Sequence, residues 1–260
     1  MVGEVLSPPV TKEHGPIIAR AITVLENTVP KLADYVTVCS KFLRQKAMRG
    51  GIHPSKVFII HNGSNTEDIV PLSRNVARKK LGISSNIIIA LLIGQFQTDV
   101  FPKLIVNMTG AFKKNRNLRL YIAGTVPPKY ENQLRNDNNN IIFLGKVPYD
   151  ELTAYLTAAN VLLLPMEDTA VERARFPIRF GDYIASGTPV LVSPQGEISD
   201  ILHRNDIAYI TDMNKKQIFV SDLERALDDV DKKGKKARLY AEKYLSWNIM
   251  ARRLDALYAR

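Results

Sequence analysis

The stretch Val161–Ser193, VLLLPMEDTAVERARFPIRFGDYIASGTPVLVS, decides the fold. It opens on a short apolar run that Pro165 ends, which is typical of a buried parallel strand. Pro177 marks the first turn of a helix over about Ile178–Ser186, and a second apolar run, Val190–Val192, predicts the next strand. Strand, loop, helix and strand in this order indicate a βαβ unit.

The loop between the first strand and the helix is densely charged, with Glu167, Asp168, Glu172, Arg173 and Arg175 inside a dozen residues. A solvated surface loop is one interpretation, because most such loops face solvent. A binding site is the other, because a helix N-terminus beyond the end of a parallel strand attracts anions. Arg179 and Asp182 lie three residues apart on one helical face, and such a pair suits a ligand with phosphates and hydroxyls.

The composition predicts a globular protein of one large or two modest domains, since the chain has 260 residues and 45% hydrophobic content. No apolar run approaches the roughly 18–20 residues of a membrane span, and residues 1–14 lack the features of a signal peptide. We therefore expect a cytoplasmic protein, with peripheral contact at the inner membrane face left open. Cys39 is the single cysteine, which excludes an internal disulfide and a multi-cysteine zinc site.

The formal net charge of +10 favours an anionic partner such as a phosphate group or an acidic membrane face. The charge is spread thinly, and the one dense cluster, Lys232–Lys236, is expected to form a solvated turn between helices. Patterns of nucleic-acid-binding motifs are missing, so we expect no nucleic acid partner.

Further strands are predicted to alternate with helices along the rest of the chain, and Ser221 is expected to cap a helix that runs to Val230. The predicted fold class is therefore α/β, a Rossmann-like parallel sheet with helices on both faces, preceded by a partial second α/β domain. The predicted strands of the large sheet outside the opening stretch are Ile87–Ile93, Leu118–Ala123, Ile141–Leu144 and Ala208–Ile210. Those of the partial domain are Tyr35–Cys39 and Val57–Ile60.

Glycines follow three of these strands directly, at Gly94, Gly124 and Gly145. Ligands of open parallel sheets bind beyond the carboxyl ends of the strands, which are the positions that these glycines occupy. A single glycine after a strand indicates little, because turns need glycine. Three of them, with Arg179 and Asp182 beside a fourth strand, predict a binding site at this edge.

Six segments, in order and spacing, resemble the retaining glycosyltransferases of the GT-B fold, glycosyltransferase family 4. The resemblance covers nearly the whole chain, and the ordered set is more specific than any one piece. The segments are ADYVTVCS (33–40), KVFIIHNGSNTEDIVPL (56–72), LRLYIAG (118–124), IIFLGKVPYDELTAYLTAANVLLLP (141–165), GTPVLVS (187–193) and SWNIMARRLDALY (246–258).

The resemblance implies an enzyme that binds a nucleotide-diphosphate sugar and transfers the sugar to a hydroxyl of an acceptor, with no metal and no further cofactor. It implies that Asp182 binds the ribose hydroxyls, that Arg179 lies near the diphosphate, and that Lys146 and Val147, after Gly145, form the turn that binds the base. The family's first carboxylate lies near the transferred sugar. Here the spacing differs, and either Glu167 or Asp168 is left to take that place.

The chain departs from the family pattern at the diphosphate site. Gln95 follows Gly94 where the family has an arginine, and the family's Lys-Gly pair is missing, with Lys103 as the nearest base. Arg173, Arg175 or Arg179 would then supply the positive charge. The histidines, at 14, 53, 61 and 203, show no spacing of metal ligands and are expected at the surface or in turns.

The resemblance also predicts the domain organisation. Residues 1–72 are a partial amino-terminal, acceptor-side segment with a linker, residues 73–245 bind the nucleotide sugar, and residues 246–260 form a helix that returns to the first segment. Most of the acceptor-binding half is missing from such an arrangement, which leaves open a partner chain that supplies it. Two alternatives remain: a non-catalytic module of this fold that binds a protein or an anionic membrane, and a GT-B epimerase that acts on nucleotide sugars.

Overall fold

The computed structural model of the chain describes residues 3–95, 100–137, 139–228 and 232–260. In these residues the strands form a two-stranded and a six-stranded sheet, both parallel throughout. The small sheet pairs β1 (Val36–Val38) with β2 (Val57–Ile59). The large sheet contains β3 (Ile88–Gln95), β4 (Leu118–Thr125), β5 (Ile141–Gly145), β6 (Val161–Leu164), β7 (Val190–Val192) and β8 (Tyr209–Ile210).

The strand order of the large sheet is β5-β4-β3-β6-β7-β8, so the chain leaves β5 and crosses over to β6 on the far side of β3. This reversal places the carboxyl ends of β3 and β6 at the switch point of the sheet, where open α/β folds bind their ligands. The α/β fold class is confirmed, and each strand that the sequence predicts is present within two residues of its predicted ends.

Helices cover both faces of the large sheet. Their bounds are α1 (Gly3–Leu32), α2 (Lys41–Arg49), α3 (Arg74–Leu81), α4 (Val100–Lys114), α5 (Pro128–Asp137), α6 (Tyr149–Ala158), α7 (Ala170–Ala174), α8 (Ile178–Ala185), α9 (Gly196–Asn205), α10 (Lys216–Asp228), α11 (Lys232–Tyr240) and α12 (Trp247–Tyr258). A short π-helical segment, Ala241–Leu245, continues α11.

The core has two layers, one on each face of the large sheet. Along β3, Ile89 and Leu91 face the layer that contains Phe180 of α8, whereas Ala90 and Leu92 face the layer that contains Phe219 of α10. Successive side chains of a strand point to opposite faces, so a strand that is apolar at every position needs cover on both. The continuous apolar runs in the sequence have this physical cause.

Two predicted features near the carboxyl end differ from the structure. Ser221 does not cap a helix, since it lies inside α10, which begins at Lys216. The cluster Lys232–Lys236 is not a turn, since it forms the first half of α11. Its glycine, Gly234, lies so close to the neighbouring helix end that an added Cβ would be 2.0 Å from the carbonyl oxygen of Gly187. Gly234 therefore permits close packing of two helices, whereas the composition of the cluster had suggested a turn.

The amino-terminal segment consists of α1, α2 and the small sheet. Helix α1 bends at Gly15, where the backbone φ is +78°. Beyond the bend it exposes a stripe of apolar side chains: Ile17 (83% exposed), Ile18, Val24, Leu25, Val29 and Leu32. In the part of the chain that the structure describes, every helix is too short or too polar to span a bilayer.

The ends of β3 and β4 approach each other at two glycines in register, Gly94 and Gly124. A Cβ at Gly124 would lie 1.8 Å from the carbonyl oxygen of Gly94, and the backbone φ there is +120°. We expect Gly124→Ala to lower the free energy of unfolding by more than about 3 kcal/mol, because the substitution adds steric overlap to backbone strain.

The matched control is Gly82→Ala, at the carboxyl end of α3. Gly82 also has positive φ, at +66°, but an added Cβ would meet no atom within 4 Å. This variant should lose only about 1 kcal/mol, which urea denaturation followed by circular dichroism will measure. Equal losses in the two variants would contradict the close approach of β3 and β4.

Candidate functional site

Helix α8 is joined to the carboxyl end of β3 by two hydrogen bonds to one residue. The Ile93 backbone N–H donates to the hydroxyl of Tyr183 over 2.9 Å. The guanidinium of Arg179 donates to the Ile93 carbonyl. Burial raises the pKa of Tyr183 to about 12, so its hydroxyl stays neutral. Arg179 is thereby held beside Gly94, at the switch point of the sheet.

Three glycines lie along the same edge. Gly94 and Gly124 are in register, and Gly145 follows the next strand with φ at +67° and open space where a Cβ would stand. After Gly145, Lys146 is exposed and Val147 is half-buried against the core. Gly145 therefore leaves room for a ligand beyond the end of β5, whereas Gly94 and Gly124 bring the ends of β3 and β4 close together.

Asp182 faces the linker between the amino-terminal segment and α3. Its Oδ1 accepts a hydrogen bond from Ser64 Oγ at 3.4 Å, and the carboxylate also accepts from the backbone N–H of Asn65. Burial raises the pKa of Asp182 to about 6, and these two hydrogen bonds oppose the shift. A carboxylate kept partly desolvated in this way binds a hydroxyl donor more strongly than a solvated one.

The charged loop holds a short helix that the sequence analysis missed, α7, capped by the side chain of Thr169. Two of its arginines pair with carboxylates of the same loop. Arg173 lies 2.8 Å from Asp168, and Arg175 lies 2.8 Å from Glu172. Both arginine side chains are 44% exposed. The Arg173–Asp168 pair is a surface ion pair of small net strength, whereas the Glu172 side chain is only 17% exposed, so the Arg175–Glu172 pair is better shielded from solvent.

The two candidate carboxylates of the loop differ in environment. Asp168 is 68% exposed and paired with Arg173, whereas Glu167 is half-buried. Burial raises the pKa of the Glu172 carboxyl. The charges of Arg175 and Arg179 lower that pKa, and the charge of Glu167 raises it. Glu167 and Arg179 therefore both lie close enough to Glu172 to act on its charge. Eight residues before Asp182, where the family's spacing would place the first carboxylate, stands Ala174.

The sequence analysis missed several residues of the amino-terminal segment that contact the charged loop. Ser40 Oγ donates to the carbonyl of Ala174 at 2.5 Å, and Asn62 Nδ2 donates to the carbonyl of Phe176 at 2.5 Å. The ring of His61 stacks on Phe176 with centroids 4.5 Å apart. The loop that carries the charges is thus fixed from outside the large sheet. The adjacent Asn62-Gly63 pair is a local signal in the sequence, but by itself such a pair indicates only a turn.

His61 was expected at the surface or in a turn, yet its side chain is only 16% exposed. Its Nε2 lies 3.1 Å from Oε1 of Glu197, the first acidic residue of α9. Burial by itself would raise the pKa of the Glu197 carboxyl, but His61 and the backbone N–H of Lys41 hold it below its usual range. This contact joins the amino-terminal segment to α9, the helix behind the charged loop.

Two predicted site residues, Gln95 and Lys103, have side chains outside the described part of the structure. Among the residues that it does describe, no group of three or more His, Cys, Asp and Glu side chains could hold a metal ion.

A family comparison assigns most of the large-sheet region to a known family. The family described as "Glycosyl transferases group 1" matches residues 73–244. Among curated proteins, the chain is 25% identical over 223 residues to D-inositol 3-phosphate glycosyltransferase of Corynebacterium aurimucosum. That alignment covers 79% of this chain and 52% of the relative, so the chain spans about half the length of the curated protein.

Solved structures show the same fold at low sequence identity. Sucrose-phosphate synthase from Thermosynechococcus elongatus has a TM-score of 0.73 at 21% identity, covering 91% of this chain and 60% of that one. The Anabaena protein HepE, solved in complex with UDP and glucose, has a TM-score of 0.72 at 13% identity, covering 87% and 63%. These likenesses confirm the GT-B fold that the sequence resemblance implied.

The raised pKa of Asp182 makes a prediction about stability. A carboxyl whose pKa rises from 3.8 to about 6 on folding binds more protons in the folded state between those values, so stability falls as pH rises through that window. Asp182→Asn removes the buried charge. We expect it to be more stable than wild type by about 2 kcal/mol near pH 7.5 and equal to it near pH 4.

Urea denaturation at the two pH values measures this difference. The control is Asp255→Asn, which removes an exposed carboxylate on α12 and should change the free energy of unfolding by less than about 0.5 kcal/mol at both. A loss of stability in Asp182→Asn near pH 7.5 would contradict this, because it would show that the charged carboxylate stabilises the fold.

Proposed function

Because the chain belongs to the glycosyl transferases group 1 family, we propose that it binds a nucleotide-diphosphate sugar and transfers the sugar to an acceptor hydroxyl. We propose further that it is of the family 4 type, acts on a hexose with retention of the anomeric configuration, and needs no metal. Residues 73–245 would bind the donor, and residues 1–72 and 246–260 would form the acceptor-side part.

One observation carries the proposal: the guanidinium of Arg179 lies at the switch point of the sheet, hydrogen-bonded to the Ile93 carbonyl beside Gly94. A nucleotide-diphosphate leaving group gains negative charge as its bond to the sugar breaks. A fixed cation in a partly dry site stabilises that charge more than it stabilises the bound donor, and the difference lowers the barrier. Arg173 and Arg175 stand close in sequence and would add to the positive field.

Asp182 would bind the ribose hydroxyls. It lies three residues after Arg179 on α8, on a neighbouring part of the helix surface, so a nucleotide with its diphosphate at Arg179 would direct its ribose towards Asp182. Gly145, Lys146 and Val147, past the end of β5, would contact the base. Support for a nucleotide ligand also comes from HepE, which has this fold and was solved with UDP and glucose.

Glu167 and Asp168 both remain candidates for the carboxylate beside the transferred sugar. Glu167 is the one we favour, because it is half-buried and therefore less solvated. Asp168 is engaged by Arg173 at 2.8 Å and is mostly exposed. A carboxylate that stabilises a cationic sugar works best where water is displaced.

The acceptor side of the proposed enzyme would be completed by a further α/β segment. The apolar stripe of α1 from Ile17 to Leu32 is exposed to solvent. A continuous exposed stripe of apolar side chains is typical of an interaction site. The curated relative is about twice as long as the region that matches this chain. An acceptor, whether a glycan, a lipid or a protein hydroxyl, would bind between that segment and the edge of the large sheet.

We expect isothermal titration calorimetry with UDP, GDP and ADP to detect binding of at least one, and Arg179→Ala to weaken it by tenfold or more. The loss should be larger for the diphosphate than for the matching nucleoside, because Arg179 would contact the phosphates. Arg225→Ala is the control, since it removes an equal charge that is 62% exposed and paired with Asp222 on α10. Binding that is absent in wild type, or equal in the two variants, would contradict the proposal.

The exposed stripe on α1 supports a second candidate function, a non-catalytic module that docks on an anionic membrane. This candidate predicts that the chain sediments with vesicles of anionic lipid in a salt-sensitive manner, whatever nucleotide is present. Leu25→Glu, on the stripe, should then abolish sedimentation, and Val106→Glu, equally exposed on α4, should not. Nucleotide binding without sedimentation would favour the transferase.

A further inference from the structure

We infer that Ser64 is a positioning residue for the Asp182 carboxylate and holds it in the orientation that binds ribose hydroxyls. Ser64 lies in the linker after the small sheet, where the linker pairs with the residues that precede α12. The inference rests on the proposed function. It adds a residue outside the matched region, since Ser64 precedes residue 73.

Ser64 is fixed in the backbone by both chain passages. Its N–H donates to the carbonyl of Leu245 over 2.7 Å, and its carbonyl accepts from the N–H of Trp247 over 3.1 Å. These bonds form an isolated parallel bridge between Ser64 and Ser246. The linker leaving the amino-terminal segment and the chain entering α12 are therefore clamped together at this serine, which is completely buried.

Close packing leaves the side chain of Ser64 little freedom. A Cβ on Gly181 of α8 would lie 3.0 Å from Ser64 Cβ, and a Cβ on Gly63 would lie 2.6 Å from the ring of Trp247. Both glycines thus permit an approach that any other residue would push apart. The hydroxyl of Ser64 meets Asp182 Oδ1 as a consequence of this packing.

The hydroxyl serves the carboxylate in two ways. It fixes the orientation of the carboxylate by donating to Oδ1, and it favours the charged form, which accepts hydrogen bonds from ribose hydroxyls more strongly than the protonated form does. Besides burial, the groups that shift the pKa of Asp182 are the Ser64 hydroxyl and the Asn65 N–H of the linker, and both lower it. The neighbouring Tyr183 on α8 is neutral. Ser64 is therefore the side chain from outside α8 that favours the charged form of Asp182.

The test is the pH profile of nucleoside diphosphate affinity in wild type, Ser64→Ala and Ser64→Thr. Wild-type affinity should fall as Asp182 becomes protonated near pH 6. In Ser64→Ala the carboxylate loses a hydrogen bond that stabilises its charge, so the fall should begin at higher pH, with roughly fivefold weaker binding near pH 6.5 than in wild type. Ser64→Thr keeps the hydroxyl and should restore the wild-type midpoint.

The difference should depend on the ribose hydroxyls. With the 2′,3′-dideoxy form of the same nucleotide, wild type and Ser64→Ala should bind equally at every pH. In the background Asp182→Asn, Ser64→Ala should produce no further loss, which gives a second reading should Ser64→Thr fail to fold. A loss in Ser64→Ala that is uniform across pH would mark a purely structural serine and overturn the inference.

Failure of the inference is distinguishable from failure of the proposed function. The protonation of Asp182 can be followed directly by carbon NMR of the labelled carboxyl, with no nucleotide present. A wild-type protein that binds none of the three nucleoside diphosphates would overturn both proposals. Wild-type binding together with an unchanged Asp182 titration in Ser64→Ala would overturn the role of Ser64 alone.

Discussion

The site depends on the attachment of α8 to the end of β3. One residue of the strand, Ile93, uses its N–H and its C=O to hold Tyr183 and Arg179 of the helix. A buried hydrogen-bonded tyrosine fixes the rotation of α8, because an unpartnered hydroxyl or amide in this core would be costly. The same rotation that satisfies Tyr183 turns Arg179 towards the strand ends and Asp182 towards the linker.

The amino-terminal segment supports the site although it contributes no strand to the large sheet. Its turn after β2 stacks His61 on Phe176 and bonds Asn62 to the same residue, and His61 also meets Glu197 of α9. The charged loop is therefore braced on the side away from β6. These contacts add to the ion pairs within the loop, and together they hold its charged residues at fixed positions.

The sequence predicted the fold well because the fold is set by local and repetitive signals. Continuous apolar runs specify strands buried on both faces. The three glycines mark the strand ends closely, although Gly94, Gly124 and Gly145 lie within the last two residues of β3, β4 and β5 rather than after them. The residues that complete the site could not be found in this way. His61 and Ser64 gain their roles from contacts with Glu197 and Asp182, which are more than a hundred positions away, and no spacing pattern encodes such contacts. Composition also misled at Lys232–Lys236, where Lys233 lies over the ring of Tyr209 and pairs with Asp206.

Asp182 shows why the site is better explained by binding than by folding. A structural carboxylate normally sits where its surroundings lower its pKa, as Glu197 does beside His61. Asp182 sits where burial prevails over two hydrogen bonds and its pKa rises to about 6, so the folded chain carries a charge that its surroundings do not fully stabilise. A buried carboxylate with a raised pKa is typical of a binding site, where a ligand stabilises its charge. Hydroxyl donors from a ligand would stabilise the charge by donating hydrogen bonds to the carboxylate.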